Sequence, residues 1–142
     1  MANEDKAVIE WLDSMKGKGS KVVYQSNWNV WLEYCKAKGL PKSGSEQLED
    51  MKQRRLSTDN TVKYFYDNEV VKLFKWLQTE YISPKKHKPL TENSALHVVN
   101  AVRSFFKNYR YSLEVQKDKL PTSEKVSQTY IDHAFDIYQL VS

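Results

Sequence analysis

The sequence of 142 residues is poor in the residues that build small cross-linked or turn-rich proteins. Its single cysteine, Cys35, excludes an intramolecular disulfide and a zinc site made of several cysteines. Four Gly and four Pro are few for a β-sandwich or barrel, which needs many tight turns. There is no run of eighteen apolar residues and no basic start followed by an apolar stretch, so we expect neither a membrane span nor a secretory signal, and hence a soluble intracellular protein.

Residues that carry chemistry are also scarce. The three histidines, His87, His97 and His133, lie far apart, and none has a second histidine at ligand spacing, so we expect no metal site. The glycines at 17–19 lack the surroundings of a phosphate-binding loop. Cys35 falls on an apolar helix face, which indicates a buried thiol rather than a nucleophile. The sequence therefore predicts no cofactor and no enzyme activity.

Apolar residues are abundant and recur at helical spacing. They make up 40% of the chain, and aromatic residues make up 13%, enough for one well-packed core. Residues 7–16 form a first amphipathic stretch, which we interpret as a short docking helix or a mobile arm. The clearest predicted helix covers residues 20–39, with Ser20 as its N-cap and Gly39 just past its end. Its apolar face carries Tyr24, Trp28, Trp31 and Cys35, flanked by Val23, Val30 and Tyr34.

Three further helices and a terminal one follow. A short helix is compatible with residues 46–56, using Leu48, Met51 and Leu56, and one long core helix is predicted for residues 57–81, with Ser57, Thr58 and Asp59 as capping candidates. Thr91 begins another helix. Beyond Pro121 the apolar spacing predicts a last helix that reaches the end of the chain, where we expect a partner or further chain to cover it.

Together these stretches predict an all-α fold, a compact helical bundle of about four to five core helices with a terminal helix at each end. We expect three parts: an N-terminal arm or docking helix (1–19), a helical domain (20–113), and a linker with a C-terminal helix (114–142). The last part is interpreted as the start of a further domain.

Positive charge is concentrated in one part of the chain. Residues 82–119 carry eight Lys and Arg against three Asp and Glu, while the net charge of the whole chain is only +4. A local excess of this kind attracts polyanions, although many helical domains have a basic edge that binds none. The densest group, Lys85, Lys86, His87 and Lys88, lies in a proline-bounded loop just before a helix start, where free N–H groups also favour anions.

The helix after this loop adds further cations. Arg103, Lys107 and Arg110 follow one another at i, i+4 and i+7, with Asn100 and Asn108 nearby. Such a row is most often a solvated helix face. Combined with the loop, it matches a surface in which Lys contacts phosphates while Arg or Asn reaches base edges. A second, weaker basic patch comprises Lys52, Arg54, Arg55 and Lys63, with Lys42 near it.

The order of these elements resembles the core-binding, SAM-like domain of the tyrosine recombinases, or phage-type integrases. The family's first helix has a capped Tyr-x-x-x-hydrophobic-x-x-aromatic pattern that ends near a Gly, and a later helix has Ser/Thr, aliphatics, an Arg and two aromatics. The resemblance covers roughly residues 20–113 and loosely the segment from Pro121. The matching residues are Ser20, Tyr24, Trp28, Trp31, Leu32, Cys35 and Gly39, and then Thr91, Ser94, Leu96, Val99, Val102, Arg103, Phe105, Phe106 and Tyr109.

The resemblance implies a helical bundle that grips one side of a DNA duplex while a separate catalytic domain closes on the other side. The family's chemistry needs an Arg, a Lys, a His-x-x-Arg and a nucleophilic Tyr downstream of this domain. Here the residues three positions after the histidines are Leu90, Asn100 and Asp136, so the His-x-x-Arg motif is missing. We therefore expect no DNA cleavage by this chain.

Two hypotheses follow. The first is binding of double-stranded DNA during integration or site-specific recombination, with a catalytic domain in a longer chain or a homo-oligomer on DNA as further partners. It implies a cytoplasmic, nucleoid-associated location, or a nuclear one if the source is eukaryotic. The second is a helical protein-interaction module that ignores DNA and docks a partner through Trp11, the last helix and other exposed aromatics.

Overall fold

Six α-helices make up most of residues 5–115 and 119–121, the part of the chain that the computed structural model describes. This described part contains no strand, which confirms the all-α prediction. The predicted last helix lies outside the described residues. The helices are α1 (Lys6–Asp13), α2 (Lys18–Lys38), α3 (Gly44–Arg54), α4 (Asn60–Lys63), α5 (Phe65–Thr79) and α6 (Glu92–Asn108).

Helix α6 lies at the centre of the bundle, where both α2 and α5 pack against it. Its residues on three sides are buried, among them Val99, Val102, Phe105 and Phe106, each fully covered. The Thr91 hydroxyl accepts the N–H of Ser94 and so caps the start of α6, as the sequence predicted. Because these sides are buried, only the remaining side of α6 lies at the surface.

Helix α1 is part of the core. The Trp11 side chain is 1% exposed, and its indole N–H donates to the hydroxyl of Ser104 on α6 at 3.1 Å. The Tyr109 hydroxyl donates to the carbonyl of Ala7 at 2.6 Å. The carboxylate of Asp5 accepts the N–H groups of Gly44 and Ser45 and thereby caps α3. Residues 6–13 therefore form a helix that packs against the rest of the bundle.

Helix α2 begins two residues before the predicted Ser20 cap. Gly17 precedes Lys18 with φ +83, a conformation that glycine adopts readily, so the helix starts directly after it. The predicted end is confirmed, since Gly39 has the left-handed φ of +71 and the N–H of Leu40 donates to the Cys35 carbonyl. The apolar face is shorter than predicted, because Val23 is 57% exposed.

The predicted long helix over residues 57–81 is broken at Tyr64. Asp59 caps α4 by accepting the N–H of Thr61, and α5 then starts at Phe65. At the break, the Arg55 guanidinium donates to the Lys63 carbonyl at 2.9 Å, a group that an unbroken helix would use internally. On α3, Met51 is buried as predicted, whereas Leu56 lies beyond the helix and is 76% exposed, so its predicted core role is wrong.

Candidate nucleic-acid interface

The basic loop, residues 83–89, is closed by its own backbone. The N–H of Ser83 donates to the Lys88 carbonyl at 2.9 Å, and the N–H of His87 donates to the Ser83 carbonyl at 2.8 Å. His87 takes a left-handed φ of 57° to allow this turn. As a result Lys85, Lys86, His87 and Lys88 are all exposed on a short, hydrogen-bonded turn.

The exposed side of α6 forms a line of polar residues, which we call the α6 line: Asn93, His97, Asn100 and Lys107. These four residues project in similar directions when each residue turns about 100°, and all four are exposed. The line carries no acidic residue. The single carboxylate on α6, that of Glu92, lies in its first turn.

The cations of this region form two groups rather than one continuous cluster. The basic loop precedes the start of α6, whereas Lys107, Asn108 and Arg110 lie at its end, all three exposed. Seventeen helical residues separate the ends by about 25 Å. Arg110 is held at φ 69, just past the helix, where its N–H donates to the Lys107 carbonyl. Asn93, His97 and Asn100 of the α6 line lie between the two groups.

Arg103 is engaged within the fold. Its side chain is half-buried, and Nη2 donates to the carbonyl of Leu113 at 3.5 Å. Leu113 is itself buried, at 5% exposure, so this contact fixes the segment that follows α6. Of the three residues predicted at i, i+4 and i+7, Lys107 and Arg110 are exposed, and Arg103 is available only in part.

The exposed cations of this surface are not neutralised by the described carboxylates. Within residues 5–115 and 119–121, the ion pairs involve Lys21, Arg54, Arg55 and Lys72. The cations of the basic loop and of the end of α6 form none. Their field is therefore directed at solvent, which is the arrangement that attracts a polyanion.

The two arginines of the second predicted patch, Arg54 and Arg55, form contacts within the fold. Arg54 Nε lies 2.9 Å from the Asp50 carboxylate, and its guanidinium stacks 3.9 Å from the ring of Phe65. Arg55 pairs with the buried carboxylate of Asp67 and donates to the Lys63 and Ser112 carbonyls. Lys63 is half-buried beside Tyr64. Only Lys42 and Lys52 of this patch are exposed.

The predicted anion site at the start of α6 is already partnered. The Thr91 hydroxyl accepts the Ser94 N–H, and Glu92 places a carboxylate in the first turn, where it meets the positive end of the helix dipole. The Thr91 hydroxyl and the Glu92 carboxylate therefore already occupy part of the space at the start of α6.

Other candidate sites have simple structural accounts. Cys35 is fully buried, and burial raises the pKa of its thiol to about 12. His97 is exposed on α6, as predicted, and His133 lies outside the described residues. In the part of the chain that the structure describes, no three His, Cys, Asp or Glu residues come together as metal ligands.

No helix among the described residues has the length and apolar character needed to cross a membrane.

The sequence did not reveal the polar network inside the bundle. The Trp31 indole donates to Gln47 Oε1 at 2.9 Å, and Gln47 Nε2 donates in turn to the Pro41 carbonyl at 2.8 Å. Tyr34 donates to Glu69 at 2.8 Å. A polar residue at a position of the apolar face, such as Gln47 between Gly44 and Met51, is the signal that could have indicated such a network.

Comparison with known proteins identifies no relative: no family model, no curated protein and no solved structure matches this chain. The resemblance to the core-binding domain of tyrosine recombinases therefore rests on the residues quoted for it.

Proposed function

We propose that this chain binds double-stranded DNA through the basic loop and the α6 line. The observation that supports the proposal best is the exposure of Lys85, Lys86 and Lys88 on a hydrogen-bonded turn, with no described carboxylate paired to them. Lysine ammonium groups act as point charges for phosphates, and their binding releases counterions from the duplex. The role is the one that a core-binding domain of a tyrosine recombinase would have.

The geometry of α6 indicates how the two basic groups would share a duplex. The length of α6, about 25 Å, corresponds to roughly seven base-pair steps along the DNA axis. The basic loop would hold one stretch of phosphates, and Lys107 with Arg110 would hold another. Asn100 lies between them, and an Asn amide can bond an adenine edge in the major groove. In this proposal the phosphate contacts set the orientation, and Asn100 supplies any base preference.

The salt dependence of binding tests this surface. In a fluorescence anisotropy titration of a labelled duplex at several salt concentrations, the log–log slope falls by about 0.9 for each phosphate contact that is lost. The triple variant Lys85→Ala, Lys86→Ala, Lys88→Ala should flatten the slope by roughly 2 to 3. The matched control is Lys18→Ala, Lys36→Ala, Lys75→Ala, which removes three exposed lysines from α2 and α5.

The control should keep the slope of the unmodified chain. Equal slopes for the two triple variants would reject the basic loop as the binding surface. Absence of any duplex binding at low salt would reject the function itself.

The second candidate function is a helical protein-interaction module. Trp11 cannot serve it, because its side chain is buried in the core. The observation that favours it instead is the pair Val22 and Val23 on α2, which are 68% and 57% exposed. A chain that ignores DNA at low salt would favour this alternative, in which an apolar partner surface covers the two valines.

A further inference from the structure

A cavity of about 440 Å³ lies between the C-terminal end of α2 and one side of α5. Four of its lining residues, Phe65, Glu69, Lys72 and Trp76, follow one another at i, i+4, i+7 and i+11 along α5, and Tyr34 and Lys38 face them from α2. Among the described residues, none from α6 or the basic loop lines it. The cavity is therefore separate from the proposed DNA surface.

The walls of the cavity are aromatic. The Trp76 ring is half-buried and meets the Tyr34 ring edge-on, with centroids 5.3 Å apart and planes at 74°. The Tyr81 ring is tilted at 43° to the Trp76 ring, with centroids 5.5 Å apart. Phe65, also half-buried, forms the far end. Rings held in this way offer stacking and edge contacts to a flat ligand.

The charged groups of the cavity are one buried carboxylate and two ammonium groups. The Glu69 side chain is only 8% exposed; its Oε1 accepts the Tyr34 hydroxyl at 2.8 Å, and its Oε2 lies 3.4 Å from the Lys72 ammonium. The Lys38 ammonium lies 5.8 Å from the centre of the Tyr34 ring. Since a carboxylate can accept about four hydrogen bonds, Glu69 can accept a further N–H.

We infer that this cavity binds a nucleoside monophosphate or a similar ligand, a flat heteroaromatic ring with N–H donors and an attached anionic group. The ring stacks on Trp76 and donates an N–H to Glu69. The anionic group contacts the ammonium groups of Lys38 and Lys72. The inference does not depend on the binding of duplex DNA.

The charges favour such a ligand over a cation. Two ammonium groups against one carboxylate leave the site with one positive charge, and Lys72 already neutralises Glu69. A ligand ammonium or guanidinium would add a third positive charge and compete with Lys72. An anion is attracted instead, and it uses hydrogen-bond donors that each ammonium group has to spare.

Adenosine monophosphate is the probe, followed by isothermal titration calorimetry and tryptophan fluorescence. Trp11, Trp28 and Trp31 are at most 1% exposed, so Trp76 is the tryptophan that a ligand can reach, and saturable quenching reports on this cavity. Adenosine should bind more weakly because it lacks the phosphate, and ribose phosphate should not bind measurably because it lacks the ring.

Two variants on the cavity rim, each with a matched control, locate the binding. Lys38→Ala and Lys72→Ala should each weaken binding of adenosine monophosphate by roughly tenfold, the effect of losing one charge-assisted hydrogen bond. The controls Lys36→Ala and Lys75→Ala remove exposed lysines from the same two helices and should leave binding unchanged. If Lys72→Ala destabilises the fold by leaving Glu69 without its ammonium partner, the affinity of Lys38→Ala for adenosine monophosphate alone decides whether the nucleotide binds in this cavity.

The inference is overturned if adenosine monophosphate does not bind, if ribose phosphate binds as well as the nucleotide, or if choline binds in its place. Its failure is distinct from failure of the DNA proposal. The triple variant of the basic loop should keep nucleotide binding, and Lys38→Ala should keep duplex binding with an unchanged salt slope.

Discussion

Arg55 and Asp67 form an ion pair inside the bundle, with Nη2 of the arginine 3.3 Å from Oδ1 of the aspartate. The Asp67 side chain is 1% exposed and the Arg55 side chain 18%. Asp67 Oδ2 also accepts the N–H of Glu114 at 2.6 Å. The pair therefore joins the end of α3 to α5 and to the segment after α6.

Arg55→Ala should destabilise the fold strongly. It leaves the buried carboxylate of Asp67 with the Glu114 N–H but no counter-charge, and breaking a buried pair costs about 3 kcal/mol or more. Urea unfolding followed by circular dichroism measures the loss. Lys52→Ala, which removes an exposed cation from the end of α3 next to Arg55, should change the free energy of unfolding by less than about 0.5 kcal/mol.

The same variant separates a structural role of Arg55 from contact with DNA. If Arg55→Ala lowers the log–log salt slope of duplex binding but leaves the free energy of unfolding unchanged, Arg55 contacts phosphate rather than holding α5 in place.

Arg55 also illustrates what the sequence could not predict. Its place in a run of basic residues is typical of a phosphate-binding patch, and the carboxylate that pairs with it lies twelve residues away in sequence. The Lys63 carbonyl, next to the break at Tyr64, likewise bonds to Arg55, which lies eight residues away. Helical periodicity describes neighbours within three or four residues, so it predicts neither contact.

Features with a local cause were predicted well. The buried faces of α2 and α6 follow from helical spacing, and the Thr91 cap and Gly39 end follow from residue type. For the candidate site, the proline-bounded, lysine-rich composition of the basic loop indicated its exposure. The engagement of Arg103 with the Leu113 carbonyl depends on how the chain turns after α6, and the spacing of cations carries no signal for it.

Gly44 and Gly19 should respond in opposite ways to alanine. A Cβ at Gly44 would lie 2.8 Å from side-chain atoms of both Phe105 and Val8, so Gly44→Ala should cost about 1 to 3 kcal/mol through overpacking. At Gly19 no heavy atom lies within 4 Å of the added Cβ, and Gly19→Ala should stabilise α2 by up to about 1 kcal/mol.

Thermal unfolding of the two glycine variants measures both effects. A Gly44→Ala variant as stable as the unmodified chain would show that α1, α3 and α6 meet less closely than the structure describes.

Tyr109 should make stability depend on pH in the alkaline range. Burial, followed by the nearby carboxylate of Glu10, raises the pKa of its hydroxyl from 10.0 to about 12. Between these two values the unfolded chain loses the proton while the folded chain keeps it. The stabilisation is therefore fully present below pH 10 and is lost as the pH rises towards 12.

Tyr109→Phe should reduce this alkaline loss, because phenylalanine has no proton to release. Urea unfolding at pH 9 and at pH 11 gives the decrease in the free energy of unfolding for each chain. Because the two chains share every other titrating group, the difference between their decreases is the contribution of Tyr109. At pH 9 the variant should be less stable by about 1 kcal/mol, because the hydrogen bond to the Ala7 carbonyl is missing. An equal alkaline loss in the two chains would contradict the raised pKa and the tether between α1 and α6 on which it depends.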